Sequence, residues 1–64
     1  MSEIITGDFI RTLREKLRMS QEALAQKLHV SLYSITRWEK IGAKTIRMHE
    51  ANKKILRDFL RSIR

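Results

Sequence analysis

The sequence predicts a small all-α domain of four to five helices, and three observations carry that expectation. There is no proline and there are only two glycines in 64 residues, so the two residue types that most readily interrupt helices are nearly absent. Leu, Arg, Lys, Glu and Ala, all good helix formers, are abundant. Apolar residues recur at steps of three and four, the spacing of one face of a helix. A chain of this length supports one modest core, so residues 1–64 are read as a single domain.

Taken in order, Met1 to Ile5 reads as a loosely ordered lead-in, with Ile4 and Ile5 able to pack. A first helix is expected from about Thr6 to Leu17. Phe9 or Ile10, then Leu13 and Leu17, fall at core spacing, and Thr6 or Asp8 supplies the cap. Ser20 can cap a second helix, with Glu22 adding negative charge where the helix dipole favours it. Leu24, Ala25 and Leu28 share one face of it, and Ala25 is small enough to let a crossing helix approach. The pattern breaks at His29-Val30. Ser31 then caps a third helix that runs to about Lys40.

On that third helix, 100° per residue places Ser31, Ile35 and Trp38 on one arc. Tyr33, Thr36, Arg37 and Lys40 point the opposite way, with Leu32 on the flank. An outer stripe of aromatic, hydroxyl and cationic groups on so short a helix is a surface suited to touching something. From Lys44 to Arg64 the chain reads as one longer helix, or a short helix and a longer one. Met48, Ala51, Ile55, Phe59, Leu60 and Ile63 form its apolar stripe.

Composition narrows the function. The formal charge is +7 and the pI about 10.6, which suggests a polyanionic partner. Residues 1–36 carry a net +1 and residues 37–64 a net +6, so the charge is concentrated in the second half. With no cysteine there is neither a disulfide framework nor a thiolate metal site. No apolar run approaches the ~20 residues of a membrane span and no signal peptide is visible, so a cytoplasmic, nucleoid-associated protein is expected. His29 and His49 have no partners at metal-ligand spacing, Ser31 and Ser34 have no Ser-His-acid context, and no Gly-rich phosphate loop occurs. Neither an enzyme nor a cofactor is expected.

The 21 residues from Ser20 to Lys40 resemble the helix-turn-helix of the XRE-like family, the Cro and phage-repressor type of DNA-binding domain. Gln21, Leu24, Ala25, Leu28, Val30, Ile35 and the Trp38-Glu39 pair carry the match. Upstream, Ile10 to Gln21 looks like the family's first helix and connector. The chain departs from the family where a turn glycine is customary, having His29 there. A second customary glycine, ahead of the first capping residue, is replaced by Arg18. After Trp38-Glu39 the next glycine comes late, at Gly42, and no proline follows.

The resemblance implies double-stranded DNA as partner, with the helix from about Ser31 to Lys40 in the major groove. It assigns base contacts to Leu32, Tyr33 and Arg37, with Thr36 beside them. Phosphate contacts fall to Gln21 and Ser31, and the cations Lys40, Lys44 and Arg47 join them. Arg14, otherwise a solvated cation, would pair with Glu39. A palindromic operator bound by two copies is the expected mode, with weak homodimerisation through the C-terminal helix (Phe59, Leu60, Ile63). Three other readings stand beside it: a protein-interaction module such as an antitoxin or co-regulator, an RNA-binding protein, and a basic helix lying on a membrane surface.

Overall fold

Capping chemistry starts three of the helices. Thr6, rather than Asp8, caps the first: its hydroxyl accepts from the Phe9 N–H at 3.0 Å. Ser20 accepts from Ala23 N–H at 3.0 Å and Ser31 from Ser34 N–H at 3.1 Å. In the computed structural model, which describes residues 5–63, these caps open α1 (Gly7–Lys16), α2 (Gln21–Leu28) and α3 (Leu32–Ile41). A fourth helix, α4 (Glu50–Ser62), begins after His49 without a side-chain cap. The readings for Met1 to Ile4 and for Arg64 lie outside the described residues.

The apolar faces meet in one core. Ile10, Leu24, Leu28, Ile35 and Leu56 are fully buried there, and Ile5, Leu13, Ala25, Ile46 and Met48 close around them. Ile10, not Phe9, is the core residue of its pair; Phe9 is 40% exposed. α3 packs on both α1 and α2, and α4 packs on α2.

Two expectations need correcting. The chain from Lys44 to His49 is not helical, so the described residues hold four helices and no fifth. Backbone groups here and at Gly42 just before it are engaged elsewhere: Asp8 N–H donates to Gly42 O at 2.8 Å, Gly7 N–H to Lys44 O at 3.4 Å, and Ile46 N–H to Ile5 O at 2.9 Å. Thr6 and Thr45 form an isolated antiparallel bridge. These bonds also fix Ile5, which is buried and so is no loose lead-in. The second correction concerns the α4 stripe. It centres on Leu56, at 1% exposure, with Phe59 and Leu60 packed beside it, while Ala51 is exposed and Ile63 is 42% exposed. Because α4 starts at Glu50, Met48 reaches the core from extended backbone and is not in helical phase with Ile55 and Phe59.

α1 and α2 end in the same way. Met19 N–H reaches back to Arg14 O and Arg18 N–H to Glu15 O; Val30 N–H reaches Ala25 O and His29 N–H reaches Gln26 O. This paired closure needs one residue in left-handed backbone. Here those residues are Arg18 (φ 55°) and His29 (φ 57°), the two positions where glycine is absent. A side chain at such angles is strained. Asn52 of α4 then secures the second turn, its amide donating to Leu28 O at 3.1 Å and His29 O at 3.4 Å.

At the other end of α1, a Cβ on Gly7 would fall on the Trp38 carbonyl oxygen and lie 2.9 Å from that of Gly42. Only glycine lets the start of α1 abut the end of α3.

Thermal denaturation followed by circular dichroism checks both points. Arg18→Gly and His29→Gly should each stabilise by about 1 kcal/mol, raising Tm by about 4–8 °C in a domain this size. Gly7→Ala should instead destabilise by about 1–3 kcal/mol through overpacking.

Candidate nucleic-acid interface

The rotation of α3 about its axis decides which side chains face outward. Ile35 is fully buried and Trp38 half-buried against the core, which pins that arc inward. The opposite arc therefore stands in solvent: Tyr33 is 70% exposed, and Arg37 and Lys40 are exposed with it. Leu32 (44% exposed) and Thr36 occupy the flank towards α2.

On the other flank of α3 lies an open groove of about 590 Å³. Tyr33, Arg37 and Ile41 line it from α3, and Thr45, Arg47 and His49 from the extended segment before α4. Ser31 lies at one end, where its hydroxyl both caps α3 and shares a hydrogen bond with Ser34 Oγ at 3.0 Å. Lys40 and Lys44 are exposed but do not line this groove, and neither do Leu32, Thr36 or Gln21. The sequence-predicted residues thus divide between two flanks of one helix. His29 and His49 also line the groove, a placement that neither residue's sequence context signals.

Behind α3 sits an ion pair between α1 and α3, its two residues 25 apart in sequence. Arg14 Nε donates to Glu39 Oε2 at 2.7 Å and Nη2 to Oε1 at 3.1 Å, a two-pronged contact matching the planar fork to the carboxylate. The third arm, Nη1, donates to the Met19 carbonyl at 3.0 Å. The two side chains are only 19% and 8% exposed. Glu39 Oε1 also accepts from Gln21 Nε2 at 3.3 Å, and Gln21 Oε1 accepts from Thr36 Oγ1 at 3.4 Å. A continuous chain of bonds therefore joins the end of α1 to the exposed flank of α3.

Burial alone would raise the pKa of Glu39. The hydrogen bonds from Arg14 and Gln21, with the charges of Arg14 and Arg11, outweigh it and hold the carboxyl below the usual glutamate value. Two further ion pairs, Arg11–Glu15 and Lys53–Glu50, join neighbouring turns of a single helix, the first exposed and the second with Lys53 partly buried. Arg37, Lys40, Lys44 and Arg47 have no carboxylate partner among the described residues. No group of three or more His, Cys, Asp or Glu that could hold a metal ion occurs among the described residues. No helix there is long and apolar enough to cross a membrane.

Two capped helices joined by a tight left-handed turn, the second presenting an exposed polar and cationic arc, define a helix-turn-helix DNA-binding domain. Residues 10–40 match the family model described as Helix-turn-helix, which supports a helix-turn-helix domain of the XRE-like type. No curated protein and no solved structure matches the chain significantly. Two structural residues escape a reading of the sequence alone. Gly7 is legible only when α1 and the end of α3 are seen to touch, and Asn52 only when α4 is placed over the turn.

The ion pair sets two stability tests. Arg14→Met leaves a carboxylate uncompensated and should cost about 3–5 kcal/mol, whereas replacing both partners (Arg14→Met with Glu39→Leu) should cost less. Because the folded pKa of Glu39 is depressed, its contribution is present above the ordinary glutamate pKa of about 4.3 and is lost as pH falls through the lower folded value. Acid titration of Tm should therefore be steeper for the parent than for the double variant below about pH 4.5.

Proposed function

We propose that this protein is a small transcriptional regulator that binds double-stranded DNA sequence-specifically, with α3 lying in the major groove. The observation that carries this reading is the orientation of α3, with Ile35 at 0% and Tyr33 at 70% exposure. That groove admits one helix and displays a distinct pattern of donors, acceptors and methyls for each base pair.

Each residue's chemistry suggests its role. Arg37 donates two bonds to guanine O6 and N7, and Leu32 presses on a thymine methyl. Tyr33 stacks on sugar or methyl, and Thr36 contacts a base beside Leu32. Gln21 and Ser31 hold phosphate at the starts of α2 and α3, where the helix dipole favours an anion. Lys40, Lys44 and Arg47 neutralise phosphates on either side, which sets register without reading sequence. That these cations have no carboxylate partner among the described residues supports the role.

One recognition helix reads only a few base pairs. Two copies on a palindromic site, about one helical turn (~34 Å) apart, supply useful specificity. The apolar surface available for weak pairing is at the end of α4, where Ile63 projects beyond the core-packed Phe59 and Leu60. The same reading places the protein in the cytoplasm, at the nucleoid.

Selection from a random duplex pool, followed by titrations at several salt concentrations, tests the assignment. Arg37→Ala should flatten base preference at one position, at a cost of about 1–3 kcal/mol. Lys44→Ala should weaken all sequences alike and reduce the salt slope by about one. Retention of the parental preference by Arg37→Ala would remove Arg37 from the reading head.

A further inference from the structure

We infer that Thr36 reads DNA as a hydrogen-bond acceptor, its polarity fixed from inside the protein, so that it selects a base carrying an exocyclic amine. The inference rests on the reading of α3 as the recognition helix and names what one of its residues recognises.

The argument follows donors and acceptors outward from the ion pair. A guanidinium only donates and an ionised carboxylate only accepts. Glu39 takes two bonds from Arg14 and a third, on Oε1, from the Gln21 side chain at 3.3 Å. Only the N–H side of an amide can face a carboxylate oxygen, so the amide of Gln21 cannot be reversed. Its oxygen is thereby turned to Thr36, 3.4 Å from Oγ1.

Thr36 has a single hydroxyl proton, and its second near neighbour is the Leu32 carbonyl oxygen at 3.0 Å. Both neighbours are acceptors, so the proton is committed inward and the hydroxyl shows lone pairs to the outside. Should Gln21 swing towards a phosphate, the Leu32 carbonyl still holds the proton. Gln21 itself keeps one amide N–H without a partner among the described residues, a donor suited to a phosphate oxygen.

The two residues therefore meet DNA with opposite polarity. In the major groove the donors are adenine N6 and cytosine N4, whereas guanine O6, purine N7 and thymine O4 are acceptors that would oppose the lone pairs of Thr36.

The test uses the full chain and the duplex it selects from a random pool. Single bases are replaced by analogues lacking the exocyclic amine (purine for adenine, pyrimidinone for cytosine) or by deazapurines lacking N7. At one base pair, deleting the amine should weaken the parent about fivefold, the worth of one hydrogen bond. The same deletion should leave Thr36→Val unaffected, while Thr36→Ser, which keeps the hydroxyl, should respond like the parent. The inference is overturned if a deazapurine, rather than an amine deletion, separates parent from Thr36→Val. It is overturned equally if no analogue separates them. A parent that selects no sequence at all would instead defeat the underlying assignment of α3, an outcome visible before any analogue is used.

Discussion

The contact between Arg14 and Glu39 is the constraint on which the outward surface depends. One guanidinium binds the carboxylate near the end of α3, the Met19 carbonyl in the connector and, through Glu39, the Gln21 amide at the start of α2. Three helices and one turn are thus referenced to a single planar group. An arginine fork fits a carboxylate with a defined orientation, which a lysine point charge would not impose. In the low-exposure setting of this pair, that orientation is held with little screening by water. The rotation of α3 is consequently set twice, by Ile35 and Trp38 in the core and by Glu39 at its far end. Both constraints leave Tyr33 and Arg37 facing outward.

Strain is accepted nearby. Both turns that flank α2 close through a left-handed residue, and neither is glycine. Each Cβ there raises the energy of the fold, yet each non-glycine residue also narrows the unfolded ensemble, which offsets part of that cost. His29 has a further consequence, because its side chain lies in the groove beside α3, where a glycine would leave open space. Asn52 compensates locally by satisfying the carbonyls that α2 leaves unpaired at that turn.

The helix-turn-helix and much of the outward face were legible in the sequence because local chemistry specifies them. Serine caps, the break at His29-Val30 and a 3.6-residue period act within a few residues of each other, and these locate α2 and α3 to within one residue. The segment after Gly42 was not legible for the opposite reason. Its extended path follows from backbone bonds between Lys44 and Gly7 and between Ile46 and Ile5, partners 37 and 41 residues away that no local pattern reveals. Leu56 was hidden by phase: an apolar stripe counted from Met48 runs through Ala51 and Ile55, and only the true start at Glu50 brings Leu56 to its centre. Gly7 and Asn52 carry no periodic signal at all, since each matters through one long-range contact. Within the interface, residue types could be read off, but not the direction of the bonds among Glu39, Gln21 and Thr36.

That direction connects charge to recognition. Glu39 sits one residue before Lys40 on a helix whose exposed arc is otherwise cationic. Left in solvent it would repel a phosphate backbone and blunt the field of its neighbours. Turned inward and bound by Arg14, the carboxylate is removed from the surface, and Arg37, Lys40, Lys44 and Arg47 form no ion pair among the described residues. Against that burial, which alone would favour the neutral acid, the hydrogen bonds from Arg14 and Gln21 and the charges of Arg14 and Arg11 keep Glu39 ionised. One pair therefore performs two tasks that are separate in principle. It clears negative charge from the cationic face, and it fixes which way the hydrogen bonds among Glu39, Gln21 and Thr36 point.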